Sequence, residues 1–212
     1  MYSRKISQEL LVVGLIVFLL SCSSGTTRLI HSHMDDAREG KPINDVLIIA
    51  IIDQQEVRET FEKHFVDRFN AAGVEAVSSV RDFSVRMGAK LNKQDIADAI
   101  DKHGCDTVAI THLIGLEESE VFSRANRRSS RYHNGYYGFY NYAWDYVHAP
   151  TVYGERVKIS IETRFYDVTT ESLIWSGESQ TMDPEATGQA IGQVVDVVMK
   201  DLNKNGLLPG QP

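Results

Sequence analysis

Residues 45–52 read DVLIIAII, in which Asp45 is followed by an unbroken run of mostly β-branched apolar side chains. An unbroken apolar run of this length is typical of a strand that is covered on both faces of a sheet. A helix is predicted directly after it, because four apolar residues recur at a spacing of four and share one helix face. These residues are Val57, Phe61, Phe65 and Phe69. Asp53 is expected to cap this helix together with Glu56, and Gly73 to end it.

The next segments extend the alternation of strand and helix. Val74–Val77 is a short strand candidate, whereas residues 78–91 have no clear period and are expected to form a loop. Asn92 is placed to cap a helix over Lys93–His103. A long strand is then predicted from Cys105 to about Phe122.

The last third of the chain predicts a hairpin and a helix. Residues 157–166 alternate apolar and polar side chains, which is the period of a half-buried strand, and residues 173–176 return as its antiparallel partner. Asp183 and Pro184 start an amphipathic helix that closes near Gly206. The order β-α-β-α-β-β-β-α predicts an α/β (α+β) domain with one mixed sheet and helices packed on it.

A long aromatic insertion, residues 123–154, precedes this hairpin. It holds seven of the nine tyrosines and a group of four arginines, Arg124, Arg127, Arg128 and Arg131. If the insertion is extended, the alternating residues Tyr140, Tyr142, Trp144 and Tyr146 form one aromatic face. Such a face suits sugar rings, the edge of a neighbouring sheet or a membrane interface with the arginines on phosphates. The alternative is a polar insertion that folds a few rings onto the domain.

The first residues are predicted to be an export signal. Arg4 and Lys5 precede a short apolar core, Leu10–Leu20, and the tetrad Leu19–Cys22 resembles the lipobox of bacterial lipoproteins. The resemblance implies that residues 1–21 are a signal peptide and that Cys22 carries diacylglycerol and a further acyl chain such as palmitate. Ser23 instead of aspartate implies sorting to the outer membrane. The alternative, an uncleaved anchor, would also leave a membrane-tethered periplasmic domain.

This anchor divides the chain into a lipidated tether, residues 22–42, and a periplasmic domain, residues 43–208. The formal net charge of −7 argues against nucleic-acid binding, which needs clustered Lys and Arg. Once Cys22 is lipidated, Cys105 has no cysteine to pair with, so it is expected to be a buried structural thiol.

No catalytic, phosphate-binding or metal-binding motif occurs at a credible spacing, so neither an enzyme nor a cofactor is predicted. Asp53 lies where ligand crevices of α/β sheets form, but it is better explained as a helix cap. The group His103, Cys105 and Asp106 could bind a metal only if its side chains converged, which a tight turn disfavours. His31, His33, Asp35 and Asp36 are interpreted as part of a solvated linker, without a metal.

Three short segments resemble uncharacterised periplasmic lipoproteins: Val57–Glu62, Gly104–Val108, and Tyr166–Asp167 with Leu173–Gly177. The α/β module of those proteins is similar to the amino-terminal domain of TolB and to the periplasmic part of the curli secretion lipoprotein. The resemblance covers roughly residues 44–204 and implies a fold without catalytic residues. Because the chain lacks a second pair of long amphipathic strands, it departs from the secretion lipoprotein in the part that forms a pore.

The sequence therefore predicts a non-enzymatic interaction or assembly module, anchored in the outer membrane by its N-terminal lipid and facing the periplasm. Its expected partner is an envelope protein or a glycan that contacts the insertion. Two alternatives remain open. One is a subunit of an oligomeric envelope export complex, and the other is a glycan-acting enzyme using carboxylates such as Asp145 and Glu155.

Overall fold

The computed structural model describes residues 27–35, 41–83, 90–116, 135–147, 158–182 and 187–210. Its strands and helices, numbered separately in chain order, are β1 (Thr27–Met34), β2 (Asp45–Ile51), α1 (Gln55–Ala71), β3 (Glu75–Ser78), α2 (Val80–Phe83), α3 (Lys93–His103), β4 (Thr107–Leu116), α4 (Gly135–Val147), β5 (Lys158–Asp167), β6 (Leu173–Met182) and α5 (Thr187–Lys204).

Within these ranges the strands form one mixed sheet in the order β1-β6-β5-β4-β2-β3. Strands β3, β2 and β4 are parallel, and β4, β5, β6 and β1 are antiparallel neighbours. The predicted α/β (α+β) class with a single mixed sheet is confirmed, as is the hairpin of β5 and β6. The returning strand β6 extends further than the apolar pattern alone indicated.

Helices cover the sheet on both faces. On one face α1 and α5 pack against alternate residues of β2, β5 and β6, including Phe165 and Trp175. On the other face α3 and α4 pack against the remaining alternate residues, including Leu47 and Ile49. Both faces of β2 are therefore buried, which explains why residues 46–52 are continuously apolar.

Strand β1 lies inside the segment that was expected to be a tether. Thr27–Met34 pair with β6 along the sheet edge, and the Thr27 hydroxyl donates to Gln193 Oε1 of α5 at 2.8 Å. The prediction of a tether over residues 22–42 is therefore wrong for this stretch. An edge strand with few buried side chains needs no apolar period, so the pattern gave no signal. Residues 22–26 and 36–40 lie outside the described residues.

The predicted helix boundaries hold better at α3 than at α1. Asn92 and Asp95 form a capping box at the start of α3, and Gly104 ends it at φ +68°. Helix α1 begins at Gln55, and its N-cap residue, Gln54, makes no side-chain cap bond. The predicted cap by Asp53 is therefore wrong, because Asp53 lies one residue too early. Within residues 78–91, expected to be a loop, Val80–Phe83 form the short helix α2.

The predicted long strand from Cys105 begins at Thr107 as β4 and is described as far as Leu116; its predicted continuation to Phe122 lies outside the described residues. The predicted start of the last helix at Asp183 and Pro184 lies outside them as well. Among the helices that the structure describes, none is both long enough and apolar enough to span a bilayer.

Candidate functional site

The aromatic insertion contains a helix. Gly135–Val147 form α4, which packs on the sheet through a buried stripe of Tyr136, Phe139, Tyr140 and Ala143. Residues Tyr140, Tyr142, Trp144 and Tyr146 therefore do not share a face, so the expectation of an extended aromatic face is wrong. The same segment also fits a helical period, because the residues of the buried stripe recur at spacings of three and four.

Tyr140 is a core residue rather than a contact residue. Its side chain is 1% exposed, and its hydroxyl accepts a hydrogen bond from the Leu91 backbone N–H at 2.8 Å. Burial raises the pKa of Tyr140 to about 12. Tyr142, Trp144 and Tyr146 are only partly buried at the sides of the helix. The predicted contact residues are thus divided, with Tyr140 used internally and the other three rings still reaching the surface.

The ring of His112, on β4, lies beneath one side of α4. It is surrounded edge-on by Phe139, Tyr142 and Tyr146, at centroid distances of 5.4, 5.7 and 5.8 Å. The Tyr146 hydroxyl donates to the Ile114 carbonyl and closes the side of this enclosure. His112 is 1% exposed, and neither ring nitrogen has a hydrogen-bond partner among the described residues.

An ion pair on β5 lies next to this histidine. Arg164 donates from Nε and Nη2 to Glu162 Oε1 at 2.8 and 2.7 Å. The other carboxylate oxygen, Glu162 Oε2, lies 3.9 Å from His112 Nε2, which is too far for a hydrogen bond. The Arg164 guanidinium also lies 4.2 Å from the centre of the Phe139 ring, so the pair holds α4 to the sheet. Burial raises the pKa of Glu162 despite the opposing effect of Arg164.

Polar side chains at this level form a row across four strands. In the register of the sheet His112 pairs with Glu162, Glu162 with Glu178, and Glu178 with His31. Directly paired residues project to the same face of a sheet. Even so, no three His, Cys, Asp or Glu side chains come close enough to hold a metal ion anywhere in the described ranges.

Burial lowers the pKa of His112 to about 3, and Arg164 adds to the effect. Between this value and the unperturbed pKa of about 6.5 the unfolded chain binds more protons, so His112 costs stability as pH falls through that window. We expect His112→Leu to raise the free energy of unfolding by about 1–3 kcal/mol at pH 7, since it removes an unpaired buried group. At pH 5 protonation of His112 in the unfolded chain alone raises the unfolding equilibrium constant roughly thirtyfold, and the substitution should remove this additional loss of stability.

Urea denaturation of the native and His112→Leu domains at pH 7 and pH 5 measures both effects. His33→Leu, at an exposed position of β1, is the matched control and should leave the acid sensitivity unchanged. If the native and His112→Leu domains lost the same stability between the two pH values, His112 would not be the source of the acid sensitivity.

The candidate group at the start of β4 does not converge. His103 Nε2 lies 2.7 Å from Asp82 Oδ2, and Asp106 accepts from the Asn44 amide at 2.9 Å. Cys105 is buried, and burial together with nearby carboxylates raises its pKa to about 11. The prediction of a buried thiol is confirmed, and the charge of its surroundings disfavours a thiolate at this position.

A buried carboxylate that the sequence analysis missed occupies the carboxyl ends of β2 and β3. Glu62 Oε1 accepts from the Ala50 N–H at 2.9 Å, Arg58 Nε at 3.1 Å and the Ser79 hydroxyl at 2.8 Å. Its Oε2 accepts from the Ser78 hydroxyl at 2.6 Å and the Val80 N–H at 3.0 Å. The spacing of Arg58 and Glu62 by one helical turn was the available signal.

Ligand crevices of α/β sheets form at the carboxyl ends of the strands, which is where this network lies. Here the Glu62 side chain and its donors fill that position with internal hydrogen bonds. Asp53, the sequence candidate for the same crevice, is exposed.

The remaining candidates divide between described and undescribed parts of the chain. Asp145, named for the glycan-enzyme alternative, is exposed on α4 and pairs with Lys90 at 2.8 Å. Its proposed partner Glu155 lies outside the described residues. The predicted lipid-attachment residue Cys22 and the four arginines, Arg124, Arg127, Arg128 and Arg131, also lie outside them.

Comparison with known proteins identifies no family for this chain. No protein-family model matches the chain, and no curated protein matches it. Among solved structures the chain is similar to the PelC dodecamer from Paraburkholderia phytofirmans, at 8% identity and a TM-score of 0.42, over 88% of this chain and 99% of that one. A single-substitution variant of the same dodecamer gives the same identity and score over 82% and 96%. At that score neither likeness assigns a function or an assembly state to this chain.

Proposed function

We propose that this chain is a lipid-anchored, non-catalytic interaction module on the periplasmic side of the bacterial outer membrane, and that residues 123–154 contact its partner. The observation that carries the proposal is the position of α4. This helix lies in the middle of the insertion and is fixed to the sheet by Phe139, Tyr140 and the Arg164 guanidinium. The described residues on either side of 117–134 and 148–157 therefore belong to elements that are fixed to the sheet.

The two strands that flank the insertion are fixed to each other as well. Leu116 of β4 pairs directly with Ile159 of β5. A segment that starts and ends on adjacent strands of a rigid sheet can present side chains without disturbing the scaffold, as binding loops commonly do. The sequence between β4 and α4 contains the arginines at 124, 127, 128 and 131, and their guanidinium groups have the chemistry to bind carboxylates or phosphates.

The proposed non-catalytic character is supported by how the buried polar groups are used. Glu62 is saturated by internal donors, His103 is paired with Asp82, and the Cys105 thiol is held protonated. Each of these groups would need to be freed from its surroundings before it could act on a substrate. The anchor is supported by the lipobox-like tetrad that ends at Cys22.

The buried stripe of α4 limits which variants can test this proposal. Deleting residues 126–148 would remove the buried stripe of α4 and damage the core, so loss of binding would not be informative. We therefore use a quadruple substitution to Gln at Arg124, Arg127, Arg128 and Arg131, which leaves α4 intact. The matched control carries the same charge change at exposed positions elsewhere: Lys63, Arg81, Lys200 and Lys204.

Crosslinking in intact cells, followed by purification of the tagged chain, is the measurement. We expect the insertion variant to lose its crosslinked species, whereas the control variant keeps them. A crosslinked species with twice the mass of the chain would instead favour the oligomeric alternative. Identical crosslinking of both variants would exclude the arginines as the contact surface.

A further inference from the structure

We infer that the outer edge of β1 is a second contact surface, at which an extended, acidic segment of a partner protein binds as an additional strand. Strand β1 lies at one edge of the sheet, and no described strand pairs with its outer side. An edge strand offers unpaired backbone groups to a strand of another chain. This surface is separate from the insertion, and the inference depends neither on residues 123–154 nor on the predicted lipid.

The hydrogen bonds of β1 show which backbone groups remain available. Asp35 continues the register of β1 opposite Ile174, and its N–H donates to the Ile174 carbonyl at 3.0 Å. Directly opposed residues of an antiparallel pair alternate between bonded and non-bonded positions. His33 therefore directs its N–H and C=O towards β6, whereas Ser32 and Met34 direct theirs away from the sheet. No bond joins these outward groups to another described residue.

The two edges of the sheet differ in length, and a bulge limits the usable part of β1. Strand β3, at the opposite edge, has 4 residues, whereas β1 has 8. Short edge strands are one means by which proteins avoid pairing with other chains. In β1 the register shifts between Leu29 and His31, so regular alternation extends from His31 to Met34. The surface therefore suits a short extended segment rather than a long strand.

One face of β1 carries side chains that donate hydrogen bonds. Arg28 pairs with Gln180 of β6, and His31 pairs with Glu178. Because residues two apart on a strand share a face, Arg28 and His31 project to the same side, and His33 joins them. All three β1 side chains are exposed, and β1 contains no carboxylate, although the chain has a formal net charge of −7. Carboxylates of an added strand would lie beside these donors, so charge complementarity favours an acidic segment.

The other face of β1 carries apolar side chains. Leu29 and Met34 are half-buried there and pack against the core cluster that includes residues of α5. Apolar residues of the incoming strand on this face would cover their exposed parts. The favoured segment thus alternates acidic and apolar residues. A second copy of β1 fits less well, because it would bring Arg28, His31 and His33 against like side chains.

Ser32 provides a substitution that changes the outer edge alone. Its N–H points outward, so Ser32→Pro removes one donor of the contact surface and no hydrogen bond between β1 and β6. Proline is tolerated on edge strands at positions whose N–H would face solvent. Ser32→Thr is the matched control, since it keeps the N–H and suits a strand. Urea unfolding midpoints close to that of the native chain verify that both variants are folded.

The experiment measures, by fluorescence anisotropy, how a labelled and end-capped peptide of alternating valine and glutamate binds to the full chain. A peptide with lysine in place of glutamate is the control for charge. We expect the native chain and Ser32→Thr to bind the glutamate peptide saturably. Ser32→Pro should bind it about tenfold more weakly, because one interstrand hydrogen bond is lost. The native chain should also bind the lysine peptide more weakly, and in NMR spectra the Ser32 and Met34 amides should gain exchange protection on binding of the glutamate peptide.

No binding by the native chain, unchanged binding by Ser32→Pro, or equal affinity for the two peptides would overturn the inference. If Ser32→Pro does not fold, Arg28→Glu combined with His33→Glu takes its place. This double variant should prefer the lysine peptide, and a continued preference for the glutamate peptide would count against the surface.

Two further measurements separate this surface from other binding modes. Substitution of the four insertion arginines by Gln should leave binding of the glutamate peptide unchanged, whereas its loss would assign the peptide to the insertion instead. Sedimentation of the native chain should show no dimer that depends on β1. Dimers that Ser32→Pro abolishes would show that β1 binds a second copy, and would overturn the acidic partner.

Discussion

Glu62→Ala is expected to destabilise the domain by about 3–5 kcal/mol, because it leaves the mostly buried Arg58 guanidinium without its carboxylate partner. Arg58 is only 15% exposed and lies one turn before Glu62 on α1. The substitution also removes the acceptor of the Ala50 and Val80 backbone N–H groups. Against a typical total stability of about 5–15 kcal/mol, such a loss populates the unfolded state.

Urea denaturation of the domain measures this effect. Glu59→Ala is the control, since Glu59 lies on the exposed face of the same helix and accepts from Gln55 there. We expect a change within about 0.5 kcal/mol for this surface substitution. Similar unfolding midpoints for the two variants would refute the structural role of the Glu62 network.

Phe139→Ala is the second large expected effect, with a loss of about 3–5 kcal/mol for removing a fully buried aromatic side chain. The Phe139 ring is 0% exposed and contacts His112 and Tyr166 at centroid distances of 5.4 and 6.0 Å. The Arg164 guanidinium also lies over the face of this ring. Because α4 packs on only part of one sheet face, we expect the helix to detach before the rest of the domain unfolds.

Hydrogen exchange by mass spectrometry separates local detachment from global unfolding. In Phe139→Ala the amides of α4 should lose protection, whereas those of β2 and α5 keep most of theirs. Asp145→Ala, on the exposed side of the same helix, removes a surface ion pair and should change little. Equal loss of protection throughout the Phe139→Ala domain would show that α4 is an integral part of the cooperative core.

Phe139→Ala also connects stability to the proposed function. If α4 holds the insertion in place, its detachment should reduce crosslinking even though all four arginines remain. Unchanged crosslinking by this variant would mean that the arginines act independently of their scaffold.

Much of the architecture could be predicted because its signals are local. The apolar run of β2, the capped helix after Asn92 and the alternation along β5 each reflect burial of residues close together in sequence. Strand β1 carries no such signal, since its hydrogen bonds are made to β6, and 154 positions separate Thr27 from its partner Thr181. The resemblance to the TolB amino-terminal module stays a prediction.

The candidate site was harder to predict, for a related reason. The tyrosines of the insertion fit both an alternating and a helical period, and only packing against His112 and Tyr166 selects the helix. Glu62 is one of three glutamates on α1, with Glu56 and Glu59, and sequence alone does not distinguish it from the two exposed ones. Its burial depends on donors from β2, β3 and α2 that meet it in space.

The sequence by itself determined the α/β class and the acidic charge, because each depends on composition or on a contiguous pattern; on the same kind of local pattern it predicts lipid attachment at Cys22. The tertiary structure decided which aromatic rings are core, which carboxylate is buried and where β1 lies. It also brings Thr27, at the start of β1, level with Leu116, at the end of β4. Strand pairing across the sheet sets that relation, and no local period of the chain encodes it.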